Sequence, residues 1–268
     1  MTRPLTLTDL SVTYGKGRPA LEGITLSVDQ GEVVGLVGDG GSGKSTLIDA
    51  SVGLLPFKAA VTGRVEIFGQ ELDGLPPTER QRQRGTAVGT IVSGGRARLN
   101  PMARIGTQIE AVLTDHGWTR KDANDRALEL LQEVGIPDPR SRIDAYPHEL
   151  SGGMAQRAVI AIAIACKPRL IMADEPTKGL DVTIQADILE LLGQLIDDMG
   201  ATAVLATRDL GIVAERCSRV VVLQEGRIVE DQPVRDFFRQ PRTEYARGLL
   251  AAERAVLSAA AAPLAGSA

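Results

Sequence analysis

The start of the chain alternates apolar and polar residues, a pattern typical of strands that bury one face. The positions that carry this alternation are Leu5, Leu7, Val12, Tyr14, Ile24, Leu26 and Val28. We therefore predict two strands of an antiparallel sheet. A short apolar run, Val33–Val37, comes next and ends in a glycine-rich loop. A helix is predicted from Lys44, so this stretch forms a strand–loop–helix unit.

From about residue 100 the apolar spacing becomes that of amphipathic helices. One helix is indicated by Ala123, Ala127, Leu130, Leu131 and Val134, with Gly135 as its predicted end. A second apolar helix is predicted over Met154–Cys166. Strand-like runs return at Leu170–Ala173, Ala203–Ala206 and Val220–Leu223, and Glu225-Gly226 predicts a hairpin. The order predicts an α/β fold with helices between parallel strands and a helical insertion at about 93–166.

Composition and charge narrow the classes of protein. Hydrophobic residues make up 43% of the 268 residues and charged residues 24%, which is ordinary for a folded protein. The net charge of −4 gives no electrostatic argument for a nucleic-acid partner. Cys166 and Cys217 are isolated, which indicates buried thiols rather than a metal site. The longest apolar stretch, Ala158–Cys166, is far shorter than the roughly 20 residues that span a bilayer, so a membrane role requires docking onto a spanning chain.

The glycine-rich loop matches the G-x-x-x-x-G-K-[ST] pattern of phosphate-binding loops. Its residues are Gly38, Asp39, Gly40, Gly41, Ser42, Gly43, Lys44, Ser45 and Thr46. The glycines let main-chain N–H groups turn toward phosphate oxygens, Lys44 supplies a positive charge, and the Ser45 hydroxyl can ligate Mg²⁺. A chance match to so short a pattern is the alternative. The strand before the loop and the helix after it favour a P-loop NTPase with a RecA-like core.

An apolar strand delivers two acidic residues at its carboxyl end, where open parallel sheets bind ligands. Asp174 and Glu175 directly follow Leu170–Ala173. Asp174 would hold Mg²⁺, directly or through water, and Glu175 would activate the attacking water as general base. Two acids after a strand are often only part of a solvated loop. The phosphate loop upstream favours the functional interpretation.

Three further motifs resemble those of ABC (ATP-binding cassette) ATPases. The run Leu150–Arg157, with sequence Leu-Ser-Gly-Gly-Met-Ala-Gln-Arg, precedes the acidic strand and resembles the family's signature motif. Gly179-Leu180-Asp181 resembles its D-loop, and Tyr14 lies where the family stacks an aromatic ring on adenine. With the phosphate loop and the acidic pair, these motifs cover nearly the whole chain in the family's order.

The resemblance implies both a domain plan and a mode of assembly. ATP and Mg²⁺ are the expected cofactors. One ATPase domain is expected over 1–255, with an antiparallel β subdomain, an α/β core at about 1–92 and 167–235, and the helical insertion; a C-terminal helix and flexible tail occupy 236–268. Two subunits pack head to tail in the family. In that arrangement Ser151, Gly152 and Gly153 close over the partner's ATP, and Asp181 couples the two sites.

A closer resemblance is to the family branch that imports dipeptides, oligopeptides and nickel. The motifs that carry it include Leu99-Asn100-Pro101, Tyr146-Pro147-His148-Glu149, Leu180–Gln185, Asp209–Glu215 and Pro241-Arg242-Thr243-Glu244-Tyr245. This resemblance implies a second, non-identical ATPase subunit, two transmembrane permease subunits and an extracellular solute-binding protein. The chain would then lie peripherally at the cytoplasmic face of the cell membrane.

Two positions depart from the family's pattern. The Q-loop glutamine falls at Ser93, and the switch histidine falls at Arg208. Serine is too short for the glutamine's reach, whereas arginine can contact a γ-phosphate but keeps a permanent charge. Either both changes are tolerated, or this chain's own site binds ATP and hydrolyses it slowly while the partner's site does most of the turnover. We favour the second, with Arg208, Asp174 and Glu175 as the catalytic residues.

The leading hypothesis is therefore the ATPase subunit of an importer for peptides, nickel or a related solute. One alternative is a nucleotide-gated assembly subunit of a soluble enzyme complex. Another is a pseudo-ATPase with a structural role. Co-purification with membrane-spanning subunits separates transport from the first alternative, and ATP binding without turnover in the full complex would favour the second.

Overall fold

The computed structural model describes the backbone of residues 2–261 and the side chains of residues 2–253. The strands are β1 (Leu5–Tyr14), β2 (Leu21–Val28), β3 (Val33–Val37), β4 (Ala59–Ile67), β5 (Gln70–Glu71), β6 (Val88–Val92), β7 (Leu170–Asp174), β8 (Thr202–Thr207), β9 (Arg219–Gln224) and β10 (Arg227–Pro233). The helices are α1 (Lys44–Ser51), α2 (Pro77–Thr86), α3 (Ile105–Asp115), α4 (Arg120–Glu133), α5 (Pro139–Arg142), α6 (Gly152–Ile164), α7 (Val182–Met199), α8 (Leu210–Arg216), α9 (Val234–Arg239) and α10 (Glu244–Ala261).

The strands form two sheets. A four-stranded antiparallel sheet has the order β2-β1-β4-β5. A six-stranded sheet has the order β10-β9-β3-β8-β7-β6 and is parallel from β9 to β6. β10 is antiparallel to β9 because the tight turn at Glu225-Gly226 joins them, which confirms the predicted hairpin. The parallel neighbours in the six-stranded sheet need crossover connections, and the segments that make these connections contain helices.

The helices between β6 and β7 begin and end for identifiable reasons. α4 ends at Glu133, and Gly135 follows with a φ of +69°, as the sequence predicts. The N–H groups of Gly135 and the next residue donate back into the last turn, which is the Schellman arrangement. α6 begins at Gly152, two residues before its predicted start, because the Ser151 hydroxyl accepts the N–H of Met154 at 3.2 Å. The signature serine is therefore the N-cap of its own helix.

Three apolar clusters cover the six-stranded sheet. One fills the space between the two sheets around α1, with Leu36 and Leu47 fully buried. A second joins α3, α4, α6 and α7 to the opposite face. A third packs α8, α9 and α10 around Phe237 near β3 and β9. Because both faces are covered, the carboxyl edge of the parallel strands is the open end at which a ligand can bind.

Several elements were not predicted from the sequence. These include β4, β5, β6, α2 and the division of the C-terminal helix into α9 and α10. α2 has no buried residue, so it carries no apolar periodicity. The predicted flexible tail falls mostly outside the described residues, and residues 259–261 continue α10. Within residues 2–261, no helix is long and apolar enough to cross a membrane.

Candidate nucleotide-binding site

The phosphate loop joins β3 to α1 at the carboxyl edge of the parallel sheet. Gly38, Gly41 and Gly43 have φ angles of +150°, +80° and +109°, a region that favours glycine. A Cβ at Gly38 would lie 2.2 Å from the carbonyl oxygen of Leu223, so a side chain cannot fit there. Gly43 is the N-cap of α1 and offers no capping side chain. The N–H groups of the first turn therefore remain available to a phosphate.

The Lys44 side chain points back into the loop. Its Nζ donates to the carbonyl oxygens of Gly38 at 2.6 Å and Asp39 at 3.0 Å. Burial lowers the pKa of Lys44, and the negative charge of Glu175 opposes that shift. A buried ammonium group whose hydrogen-bond partners are neutral carbonyls favours the approach of an anion.

Asp174 and Glu175 lie at the end of β7. The strand register places Asp174 beside Ala206 of β8 and Val92 of β6. Oδ1 of Asp174 is buried and, among the described residues, has no hydrogen-bond partner. An unpartnered carboxylate oxygen requires water or a cation, so the residues present fit a Mg²⁺ site. Ser45, the other predicted ligand, is exposed in the first turn of α1.

Glu175 lies between two cationic side chains. Its Oε1 accepts a hydrogen bond from Nε of Arg208 at 3.2 Å, and its Oε2 lies 3.1 Å from Nζ of Lys178. Burial alone would raise the pKa of Glu175, but the Lys178 hydrogen bond and the charges of Arg208, Lys178 and Lys44 together hold it below its usual value. The carboxylate is therefore ionised at neutral pH. Its φ of +42° is a left-handed conformation, which strains a non-glycine residue.

Arg208 connects Glu175 to the phosphate loop. It follows β8, and a Cβ built at Gly40 would lie only 2.7 Å from its Nη2. The guanidinium group thus rests against the loop while its Nε donates to Glu175. The structure brings together three parts that sequence reasoning assigned separately: the loop, the acidic pair and the residue in the histidine position.

The remaining predicted residues lie on two different elements. Tyr14 ends β1, and its hydroxyl donates to Oγ1 of Thr46 at 3.4 Å, which places the ring beside the phosphate loop. The segment 151–153 instead packs against α7, where a Cβ at Gly153 would lie 2.9 Å from the Ile184 side chain. Asp181 is exposed at the N-terminal end of α7. The chain therefore presents the signature and D-loop residues side by side.

Ser93 begins a loop that is fixed to the signature helix by Gln156, a residue of the signature run to which the sequence analysis gave no role of its own. Gln156 of α6 is only 1% exposed. Its Nε2 donates to the carbonyl oxygen of Val92 at 3.1 Å, and its Oε1 accepts the N–H of Gly95 at 3.0 Å. One buried amide thus couples the end of β6 to the start of α6.

Sequence reasoning missed three residues at the site. Lys178 is the second cation on Glu175. Burial, and secondarily the charge of Asp174, raise the pKa of Asp49 in α1, so a third carboxyl group lies close enough to the acidic pair to interact with Asp174. The N–H of Gly226 donates to the carbonyl oxygen of Ser42 at 2.9 Å and ties the loop to the β9–β10 hairpin. The hairpin glycine had a turn signal in the sequence, whereas the other two residues had none.

A glycine-rich loop, a buried lysine and an acidic pair at one edge of a parallel sheet define a P-loop nucleotide-hydrolysing protein.

Comparison with known proteins specifies the family. Residues 21–178 match the ABC transporter family. Over 92% of its length the chain is 45% identical to the dipeptide transport ATP-binding protein DppD of Haemophilus influenzae, of which it covers 76%. It is 43% identical over 94% of its length to the oligopeptide transport ATP-binding protein OppD of Bacillus subtilis, of which it covers 72%.

Solved structures agree. The chain resembles the dimeric ATP-binding cassette MJ0796 in a post-hydrolysis state with ADP and Pi, with a TM-score of 0.75 and 28% identity over 86% of this chain and 98% of that one. It also resembles cbiO1 of Clostridium perfringens, with a TM-score of 0.75 and 26% identity over 90% of this chain and 92% of that one. The chain belongs to the ABC transporter family and is an ATP-binding, ATP-hydrolysing subunit. The predicted resemblance and the predicted ABC ATPase fold are confirmed.

Proposed function

We propose that the chain couples ATP binding and hydrolysis to the import of a peptide, nickel or a related small solute. The observation that carries the proposal is the similarity to dipeptide and oligopeptide transport ATP-binding proteins over more than nine-tenths of the chain. The comparison does not favour a soluble assembly subunit, because the names of these relatives describe transport.

Residues of this chain have separate roles at the nucleotide. The phosphate loop holds the triphosphate, Lys44 neutralises its terminal charge, and Tyr14 stacks on adenine. Ser45 and the unpartnered Oδ1 of Asp174 would hold Mg²⁺, which when bound neutralises phosphate charge. Glu175 polarises the attacking water, since its lowered pKa keeps it ionised.

Arg208 supports a slow site in this chain. Its Nε donates to Glu175, and its guanidinium group rests against Gly40 in the phosphate loop. The positive charge of Arg208 would attract a γ-phosphate arriving at the loop, which favours tight binding. Because Lys178 also pairs with Glu175, the general base stays engaged by cations, which slows its action on water. The partner's site, closed by Ser151–Gly153 of this chain, would then do most of the turnover.

The assembly that we propose contains a non-identical second ATPase, two transmembrane permease subunits and an extracellular solute-binding protein. The chain would dock at the cytoplasmic face of the membrane. Two features support this arrangement. The signature segment packs beside the D-loop, as a head-to-tail interface requires, and Gln156 ties the signature helix to the loop that begins at Ser93. That loop is our candidate contact with a permease.

The test is a pair of matched substitutions in the reconstituted complex. We expect Glu175→Gln to retain most ATPase activity and peptide transport, whereas the matching glutamine in the partner ATPase abolishes both. Equal loss of ATPase activity and transport from the two changes would contradict the slow-site proposal, but it would remain consistent with a transport function. Failure of the chain to co-purify with membrane-spanning subunits, together with activity in a soluble complex, would contradict the transport proposal itself.

A further inference from the structure

The C-terminal helix reaches the phosphate loop through one side chain. The hydroxyl of Tyr245, in the first turn of α10, accepts the main-chain N–H of Asp39 at 2.9 Å. The same hydroxyl donates to Oδ2 of Asp39 at 2.9 Å. Asp39 is the second residue of the phosphate loop, and 206 positions separate the two residues in the sequence. The Pro241–Tyr245 motif, which had no assigned role, thus ends in a contact with the nucleotide site.

A buried carboxylate fixes the turn that presents Tyr245. Glu230 of β10 is 4% exposed. Its oxygens accept the N–H groups of Arg242 at 2.8 Å and Thr243 at 3.1 Å, and the Thr243 hydroxyl at 2.8 Å. Oγ1 of Thr243 in turn accepts the N–H of Ala246 at 3.1 Å, which caps the start of α10. The position of the tyrosine is therefore set by four hydrogen bonds that do not involve the loop.

Apolar packing holds the same helix against the strand that leads into the loop. Ala246 and Leu250 of α10 are buried in one cluster with Val37, the residue directly before the loop. The helix and the strand end thus form a single packed unit. The Tyr245 hydroxyl extends that unit by one step, onto the loop itself.

We infer that Tyr245 is a positioning residue of the nucleotide site, which orders the phosphate loop from outside without touching the nucleotide. The inference rests on ATP binding at this loop. A phosphate loop must hold its N–H groups inward, and the entropy lost in ordering it reduces affinity unless the order exists beforehand. Tyr245 supplies part of that order by fixing the main chain at Asp39. It also binds the Asp39 carboxylate, an anion in a loop that must accept a polyanion.

The test compares Tyr245→Phe with Leu249→Ala in the 268-residue chain. Phenylalanine removes both hydrogen bonds and keeps the ring, so we expect the Kd for Mg·ADP, measured by calorimetry, to rise about 3- to 10-fold. Hydrogen exchange of the loop amides should also become faster. Leu249 packs on the same helix at the edge of the third apolar cluster, so its loss should lower Tm and leave the Kd within about two-fold.

Two results would overturn the inference. One is a Tyr245→Phe chain that binds Mg·ADP as tightly as the native chain, with unchanged exchange of the loop amides. The other is an equal rise of the Kd in Leu249→Ala, since general docking of the helix would then explain the effect. If the native chain itself fails to bind Mg·ADP, the nucleotide site is wrong and the inference falls with it.

Discussion

Replacement of Arg208 by histidine should speed ATP hydrolysis at this chain's own site. Arg208 and Lys178 each pair with one oxygen of Glu175, at 3.2 and 3.1 Å, so the general base is fully engaged by cations. Histidine would remove a permanent charge from this arrangement and offer a neutral ring near the γ-phosphate. The pKa of Glu175 would rise toward its ordinary value and the group would remain ionised at pH 7.

The size of the expected rate increase follows from how far the Arg208–Glu175 pair is exposed to solvent. The side chain of Arg208 is 57% exposed, although that of Glu175 is only 15% exposed, so solvent screens the pair. Such a pair contributes up to about 1 kcal/mol. If the pair must break before Glu175 orients water, its removal gives roughly a five-fold increase in kcat. About five-fold is therefore the upper limit of the gain from removing the pair, and a correctly placed histidine would add a separate gain. The free energy of unfolding should fall by less than about 1 kcal/mol.

The assay is single-turnover hydrolysis in a complex whose partner ATPase carries glutamine in place of its catalytic glutamate, so that this chain's site alone turns over. Arg208→Lys is the matched control, because it keeps the charge and should be no faster than the native chain. If Arg208→His is also no faster, while its Tm and its Kd for ATP are unchanged, then pairing of Arg208 with Glu175 does not limit the rate and the reasoning is refuted.

Three further predictions concern stability and reactivity. Gln156→Leu leaves one buried and one partly buried main-chain group without its Gln156 partner and should lower the free energy of unfolding by about 2–4 kcal/mol in urea titrations; a loss under about 1 kcal/mol would contradict this role of Gln156. Gly38→Ala should lower Tm clearly more than Gly41→Ala, because a Cβ at Gly38 meets a carbonyl oxygen at 2.2 Å, whereas at Gly41 it meets nothing within 4 Å and adds only left-handed strain of about 1 kcal/mol; equal Tm values would refute this. Burial raises the pKa of Cys217 from 9.0 to about 12, so Cys217 should resist iodoacetamide at pH 8 in the folded chain and react once the chain is unfolded. The stability of the chain should decline as pH rises from 9 toward 12, and rapid alkylation of Cys217 in the folded chain would count against this.

Local sequence patterns predicted the parts of the site that lie within one continuous stretch of the chain. The phosphate loop, Asp174 and Glu175 were predictable because strand, turn and helix signals surround them. Gly135 and the Glu225-Gly226 turn were predictable because backbone conformation alone decides them.

Contacts between distant segments were not predictable. Gln156 lies within the signature run, but its partners follow β6, and spacing along α6 does not reveal them. The resemblance to the family's pattern marked Arg208 as a departure, yet its pairing with Glu175 depends on how β7 and β8 lie side by side. Tyr245 belongs to a recognised motif, but its contact with Asp39 depends on how α10 packs against the end of β3.

The most direct measurement is equilibrium binding of Mg·ATP to the native complex and to the complex with Lys44→Ala in this chain. Because Lys44 is buried with only neutral hydrogen-bond partners, we predict saturable binding at this site in the native complex and its loss in the variant. Equal occupancy of this site in both, or none in the native complex at millimolar ATP, would contradict the account.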